Sequence, residues 1–324
     1  MQHNLRGAIL ALVAMGIFAT HDAVVKSLGA NYSPFQILFF GALFSFPPVA
    51  VIMVKDSREA SLRPRHLSWV LLRTVLTVVT GVSAFYAFAT LPLAQVYVIL
   101  FASPLLITIL AIPLLGERVR VRRWAAVIVG LIGVIIVIRP GQAEFSLGHL
   151  AALTAAVCGA TASVIVRKIG SDERSVVLLL FPMVGNFIVT GLALPFVYHP
   201  MPVGDLGLMA VIAGLGLVAS FLVILSYRAG EAAIVAPMQY SQILWATGYG
   251  YLLFDEGLDG ATVLGAGIII ASGLYIVFRE TRSGASAHQP VTEARGRAET
   301  PTTPKSNLLQ RLSGRQGGAV SSPR

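Results

Sequence analysis

The chain has 324 residues, of which 56% are apolar and 12% charged, and its formal net charge is +9 at pH 7. A soluble domain of this length is less apolar, so the composition favours an integral membrane protein. The single cysteine, Cys158, excludes an intramolecular disulfide framework. Basic residues are not interleaved with aromatic ones, so we expect no nucleic-acid surface.

Ten apolar stretches, numbered here as spans 1 to 10, fill residues 7–278. Each is close to the ~20 residues that cross a ~30 Å hydrocarbon core. A helix satisfies all its backbone groups within one segment, as lipid requires. The sequence therefore predicts an all-α integral membrane protein with ten transmembrane helices. The spans are about 7–27, 34–54, 67–90, 94–115, 123–138, 148–167, 175–197, 206–227, 232–254 and 260–278.

Spans 1 to 5 recur in spans 6 to 10 at a nearly constant spacing, which predicts two five-helix repeats over residues 7–138 and 148–278. Because each repeat has an odd number of spans, the second copy is expected to enter the bilayer inverted, as in many secondary transporters. Residues that coincide after a shift of 141 or 139 positions include Gly7 and Gly148, Ala19 and Ala160, Thr20 and Thr161, Lys26 and Arg167, and Glu117 and Glu256.

The distribution of basic residues predicts that both termini are cytoplasmic. Of the 24 Lys and Arg residues, 21 fall in loops and termini that would then share the cytoplasmic side. Equivalent loops also differ as inversion requires, since 116–123 carries four arginines and 255–260 carries none. Residues 281–324 are rich in Ser, Gly, Pro, Thr, Gln and Arg, and are predicted to form a disordered cytoplasmic tail.

Asp22 is the one acidic residue well inside a span, and ionisable groups in the membrane are costly and often functional. Lys26 follows four residues later on the same helix face, where the two can pair. One interpretation is that this pair neutralises itself and fixes the helix end. The other is that Asp22, with or without His21, contacts a substrate amine or carries a coupling proton. His21 is also compatible with a packed neutral imidazole.

Span 9 combines a helix-breaking proline with polar and aromatic residues. Pro237 removes a backbone hydrogen bond and frees a carbonyl. The following residues, Gln239, Tyr240, Gln242 and Trp245, could hold a planar or zwitterionic solute, or could serve interhelical hydrogen bonding and interface anchoring. Further polar residues within spans, each a weaker indication of a substrate site, are Gln36, Tyr86, Gln95, Tyr97, Ser103 and Asn186.

Over residues 7–280 the chain resembles the ten-helix EamA family of the drug/metabolite transporter superfamily. The motifs that carry the resemblance are Leu-Leu-Gly-Glu at 114–117 and Phe-Asp-Glu at 254–256, each before a glycine-containing closing helix. Asp-Ala-Val-Val-Lys at 22–26 and Ala-Pro-Met-Gln-Tyr at 236–240 are similar to the branch that holds S-adenosylmethionine uptake carriers and bacterial riboflavin carriers.

The resemblance implies a carrier in the bacterial inner membrane that moves a small organic metabolite, similar to an amino acid, S-adenosylmethionine or a vitamin. It also implies alternating access around a central cavity lined by spans 1, 3, 4, 6, 8 and 9. Two alternatives stay open: a proton-coupled exporter of drugs or amino acids, and a membrane scaffold without transport. No His-Glu-x-x-His motif or glycine-rich phosphate loop occurs, so the sequence predicts neither an enzyme nor a metal or cofactor site.

Overall fold

A computed structural model describes residues 2–56, 63–117, 119, 121–139, 145–170 and 172–282. The secondary structure of these residues is helical, with no strand among them. The predicted tail at 281–324 lies outside the described residues apart from its first two positions. The helices are α1 (Gln2–Gly29), α2 (Pro34–Asp56), α3 (Leu67–Thr90), α4 (Leu93–Leu100), α5 (Ser103–Leu115), α6 (Val121–Ile138), α7 (Leu147–Ile169), α8 (Ser175–Val197), α9 (Val203–Ala229), α10 (Ala232–Val235), a 3-10 helix (Ala236–Tyr240), α11 (Ser241–Phe254) and α12 (Gly260–Arg282).

Six helices are long and apolar enough to cross a membrane, and they correspond to spans 1, 3, 4, 6, 7 and 8. Three shorter apolar helices, Pro34–Pro47, Arg123–Ile138 and Gly260–Ile276, correspond to spans 2, 5 and 10. Span 9 is divided among α10, the 3-10 helix and α11. The structure therefore has the apolar helices of a membrane protein, with two of the predicted spans interrupted.

The interruptions fall in spans 4 and 9, whereas the sequence predicted a helix change only in span 9. Span 4 turns at Phe101 and Ala102, and α5 then starts with Pro104 in its first turn. Proline suits a first turn because its missing N–H has no intrahelical partner there. Pro237 occupies the same kind of position in the 3-10 helix of span 9. Discontinuous helices of this kind form substrate sites in transporters.

Helices of the first half pack mainly against helices of the second half. The most extensive partners are α1 with α9, α3 with α7, and α6 with α12. The α6–α12 contact is close because Gly133 and Gly265 face each other. A Cβ at Gly265 would lie 2.6 Å from the Gly133 carbonyl oxygen. The main hydrophobic core contains buried residues of α1, α3, α4, α6, α7, α11 and α12.

The turns meet at two ends of the bundle, which we name by the spans that they follow. The odd end carries the turns after spans 1, 3, 5, 7 and 9, and the even end carries those after spans 2, 4, 6 and 8. Contacts between loops join turns of the same end. At the odd end these contacts are Tyr32 with Asp205, Gln36 with His199, Lys26 with Glu256 and Arg139 with Asp259. At the even end they include Glu117 with Arg167 and the His66 backbone N–H with Glu173.

Candidate functional site

Asp22 is fully buried on α1 and contacts side chains on two sides. Its Oδ1 lies 2.7 Å from His21 Nδ1, and its Oδ2 accepts a hydrogen bond from the Tyr97 hydroxyl of α4. The Tyr97 oxygen accepts a 3.3 Å hydrogen bond from Gln242 Nε2 of α11. Each of these side chains is at most 7% exposed. We name these four residues the Asp22 network, and it links the first half of the chain to the second.

Aromatic rings continue from the Asp22 network toward the break in span 9. The Tyr97 ring lies 5.5 Å from Phe88 and 6.0 Å from Phe101, measured between centroids. Phe101 lies 5.1 Å from Tyr240 of the 3-10 helix. Because Phe101 directly follows α4 and Tyr240 ends the 3-10 helix, the two helix breaks bring these rings together. Aromatic faces of this kind can stack on planar groups and attract cations.

Small residues on α1 explain how other helices reach the carboxyl group of Asp22. Ala19 and Ala23 are buried one turn before and one residue after it, so neighbouring helices can approach the α1 backbone closely. A buried carboxylate is costly unless it is hydrogen-bonded or paired. Tyr97 supplies a hydrogen-bond donor, and the His21 imidazole lies within hydrogen-bond distance of the same carboxyl group.

Lys26 has a different partner from the one that the sequence suggested. Its ammonium lies 2.8 Å from Glu256 Oε1, which follows span 9, and it donates a 2.6 Å hydrogen bond to the Leu91 carbonyl. The predicted pairing of Lys26 with Asp22 is therefore wrong. Spacing on α1 permits that pair, but the packed turns after spans 3 and 9 bring a second carboxylate and a free carbonyl closer to the ammonium.

Three other predicted residues lie outside the Asp22 network. Gln36 is buried at the odd end, where its side-chain amide both donates to and accepts from the His199 backbone. Gln239 donates a 3.0 Å hydrogen bond to the Tyr227 hydroxyl. Trp245 is 44% exposed, and its indole packs against Gly16. Gln36 thus contacts the turn after span 7, and Trp245 is partly exposed.

The remaining predicted residues are divided among the helices. Tyr86 on α3 and Gln95 on α4 are half-buried. Asn186 on α8 is buried, and its Oδ1 has no hydrogen-bond partner among the described residues. Of the residues proposed from the sequence, the structure thus brings together Asp22, His21, Tyr97 and Gln242, with Tyr240 adjoining them through Phe101.

Sequence reasoning overlooked several residues around this site. Tyr249 of α11 shares a 2.8 Å hydrogen bond with Thr20 on α1, two residues before Asp22. Phe101 was overlooked because a lone phenylalanine in an apolar span is no signal. Glu256 and Glu117 were noted only as parts of motifs, although each lies opposite a basic residue of the other repeat. Charge complementarity between the repeats could have identified both pairs.

Comparison with known proteins agrees with this architecture. The chain is 27% identical to an S-adenosylmethionine uptake transporter of Rickettsia prowazekii (strain Madrid E), over 88% of this chain and 97% of the relative. It is 30% identical to a riboflavin transporter of Vibrio cholerae serotype O1, over 86% of this chain and 95% of the relative. It is 24% identical to the pseudopaline exporter CntI of Pseudomonas aeruginosa, over 86% of this chain and 97% of the relative.

A solved crystal structure shares the fold, with a TM-score of 0.55 and 21% identity over 87% of this chain and 99% of that one. The model of the EamA-like transporter family matches the chain twice, over residues 5–139 and 146–278. The two matches together span nearly all the described helices. The chain therefore belongs to the EamA-like transporter family.

Proposed function

We propose that this protein is a carrier, and neither an enzyme nor a scaffold, that moves a small organic metabolite across a bacterial inner membrane by alternating access. The observation that carries the proposal is the Asp22 network, a buried carboxyl group held between the two halves of a membrane transporter fold. A scaffold has no need of a carboxyl group in the membrane, where ionisable groups are costly and mark substrate or ion pathways.

The proposed architecture is a pair of inverted five-helix repeats, 7–138 and 148–278, with both termini cytoplasmic. It is supported by the double match to the family model and by the excess of basic residues on one side. The contacts between loops also support it, because the contacts described above join turns of the same end. In this arrangement the odd end faces the periplasm and the even end faces the cytoplasm.

For the substrate, we propose a metabolite with a planar ring and a cationic or hydrogen-bond-donating group. The carboxyl group of Asp22 would bind that group, and Tyr97, Phe101 and Tyr240 would contact the ring. Similar proteins are named for S-adenosylmethionine and riboflavin, and both of these molecules contain planar ring systems. S-adenosylmethionine also carries a sulfonium and an amino group, which suit a carboxylate partner.

A second role for Asp22 is proton coupling, which would suit an exporter. The 2.7 Å contact between His21 and Asp22 favours it, because a proton shared between these groups could be released when substrate binds. The relative named as a pseudopaline exporter extends the same family to efflux. One carboxyl group can serve both roles if the substrate cation and the proton bind to it in turn, each displacing the other.

Uptake into proteoliposomes tests the proposal. The full chain would be reconstituted, and labelled S-adenosylmethionine, riboflavin and a mixed amino-acid pool would be offered with and without a proton gradient. We expect saturable uptake of one solute, and a loss of about 100-fold in Asp22→Asn. Such a loss corresponds to about 2.7 kcal/mol in the rate-limiting free energy. Ser163→Ala, at the equivalent place in the second repeat, is the matched control and should retain uptake.

The two roles of Asp22 give different results in this assay. If Asp22 couples protons, Asp22→Asn should still catalyse exchange of labelled for unlabelled substrate but should lose its response to the gradient. If Asp22 binds the substrate, exchange should be lost as well. Uptake and gradient response that are unchanged in Asp22→Asn would contradict both roles.

A further inference from the structure

The two repeats contribute one equivalent ion pair at each end of the bundle. Lys26 pairs with Glu256 at the odd end, and Arg167 pairs with Glu117 at the even end. Lys26 and Arg167 occupy the same place in the two repeats, and so do Glu117 and Glu256. Each pair therefore joins the first helix of one repeat to the end of the fourth helix of the other. We name them the odd clasp and the even clasp.

Helix geometry explains why each glutamate needs its cation. Glu256 and Glu117 follow helix ends at which the capping residues, Asp255 and Gly116, adopt the left-handed conformation with φ of 54° and 70°. The C-terminal end of a helix carries partial negative charge, so a carboxylate placed there is unfavourable. A basic side chain from the other repeat neutralises both the carboxylate and the helix end. Each glutamate would therefore be unfavourable at its helix end without the basic side chain that the other repeat supplies.

The odd clasp also holds the turn between spans 3 and 4. Lys26 donates a 2.6 Å hydrogen bond to the Leu91 carbonyl at the end of span 3. Glu256 Oε2 accepts a 2.9 Å hydrogen bond from the Leu93 backbone N–H, the first residue of α4. The carboxylate thus caps the positive end of α4. The odd clasp is complete, because both of its charged groups bind this turn.

The even clasp lacks the corresponding contacts. By repeat equivalence its target is the turn at 230–232, between spans 8 and 9. Arg167 binds Glu117 through Nη2, but its Nε and Nη1 are buried and have no hydrogen-bond partner among the described residues. Two buried guanidinium donors without acceptors are costly. Among the described residues the even clasp thus makes no contact with this turn, and two donors of Arg167 have no acceptor there.

Helix packing shows the same difference between the ends. At the odd end α1 approaches α3 so closely that a Cβ at Gly29 would lie 2.5 Å from the Ala89 Cβ. At the even end the equivalent residue is Gly170, and the atoms nearest to a Cβ placed there belong to Val166 of its own helix. Along their lengths α1 and α3 pack together, whereas α7 and α9 have no comparable contact among the described residues. Spans 1 and 3 are thus closer to each other than their equivalents in the second half, spans 6 and 8.

We propose that the two clasps are alternating gates, and that this structure is the conformation closed at the odd end and open at the even end. In the opposite conformation Arg167 and Glu117 bind the turn at 230–232, while Lys26 and Glu256 release the turn at 91–93. The inference rests on the proposed alternating access. It adds to that proposal the residues that close each side and the side that is closed here.

Hydrogen exchange of the full chain in lipid nanodiscs, without substrate, tests this inference. Lys26→Gln should open the odd end, so the amides of Leu91 and Leu93, which flank Pro92, should exchange faster. Because the ends are coupled, amides at 230–232 should exchange more slowly, by a factor of about five or more. A factor of about five is the low end of typical coupling between sites. Adding Arg167→Gln should cancel that slowing, since the even clasp could no longer close.

Two controls separate gating from local damage. Lys26→Arg keeps a donor for both Glu256 and the Leu91 carbonyl, and should keep the original pattern at 230–232. Asp259→Asn weakens another ion pair of the odd end while keeping the cap of α12, and should leave 230–232 unchanged. Faster exchange at 91–93 with no change at 230–232 would overturn the inference. Because the assay requires no transport, a wrong substrate proposal would not affect its outcome.

Discussion

The two halves of the chain are alike at their ends and different at their centres. Both halves place a cation on their first helix and a glutamate after their fourth, and both interrupt the fourth helix. The position of Asp22 in the first half is held by Ser163 in the second, and that of Tyr97 by Ala236. The two halves thus match at their ends and differ in the residues at and opposite the position of Asp22.

The largest expected effect comes from moving the carboxyl group between the halves. Asp22→Ser should reduce transport by about 100-fold, and Ser163→Asp added to it should not restore the activity. Ser163 donates to the Gly159 carbonyl of its own helix and has no counterpart of Tyr97 opposite it. Initial uptake rates in proteoliposomes measure the effect. Recovery in the double variant would show that the two centres are equivalent and would break the comparison.

Neutralising either clasp should have a smaller effect on transport. Glu256→Gln and Glu117→Gln should each reduce the uptake rate by about tenfold. Each substitution should destabilise one closed conformation of the transport cycle by ~1.4 kcal/mol. Exchange of labelled for unlabelled substrate measures the same variants under equilibrium conditions. A rate that falls in Glu256→Gln alone would mean that the ends are alike in sequence but unlike in use.

A third difference concerns stability at two equivalent glycines. A Cβ at Gly7 would lie 2.7 Å from the Gly230 Cα, which is backbone and cannot move aside. A Cβ at Gly148 would lie 2.5 Å from the Thr90 hydroxyl and 2.8 Å from Leu91 Cγ, which are side-chain atoms and can shift more easily. We expect overpacking to cost about 1 to 3 kcal/mol, with Gly7→Ala less stable than Gly148→Ala. Thermal unfolding in detergent checks the order. Equal losses would show that both helix contacts are equally rigid.

The smallest expected effect is a pH dependence at the odd end. The hydrogen bond from Tyr32 to Asp205 raises the pKa of Tyr32 above its ordinary value of 10.0. A raised folded-state pKa favours the protonated phenol, so this stabilisation is fully present below pH 10 and is lost as the pH rises through the folded-state value. Tyr32→Phe should therefore flatten the loss of thermal stability above pH 10. Tyr251→Phe, at an exposed tyrosine, is the matched control and should leave the pH dependence of thermal stability unchanged.

Much of the fold could be predicted because its signals are local. Apolar runs show where helices begin and end, and the shift of 141 residues between Gly7 and Gly148 marks the repeat. The break in span 4 was missed because Pro104 lies in a first helical turn, where proline is tolerated. Nothing local distinguishes a proline that starts a new helix from one that bends a continuing helix.

The candidate site was predicted in part, and its misses share a physical cause. Asp22 and Tyr97 stand out as polar groups in apolar spans, and the structure joins them. The partner of Lys26 was missed because an i, i+4 neighbour can be inferred from spacing, whereas Glu256 comes near only through packing of distant turns. The contact of Gln36 with the His199 backbone could not be predicted either, because spacing does not show which distant turn comes near its amide.

The composition of the clasps has an electrical consequence. Each joins one cation to one carboxylate, so it carries no net charge when it closes or opens. Moving one elementary charge through the membrane potential changes the free energy by about 2.3 kcal/mol per 100 mV. Moving a cation and a carboxylate together changes it little, because their charges cancel. The voltage response of this carrier should therefore come from the substrate and from protonation of Asp22. The current recorded during transport would then count the charges that cross with each molecule.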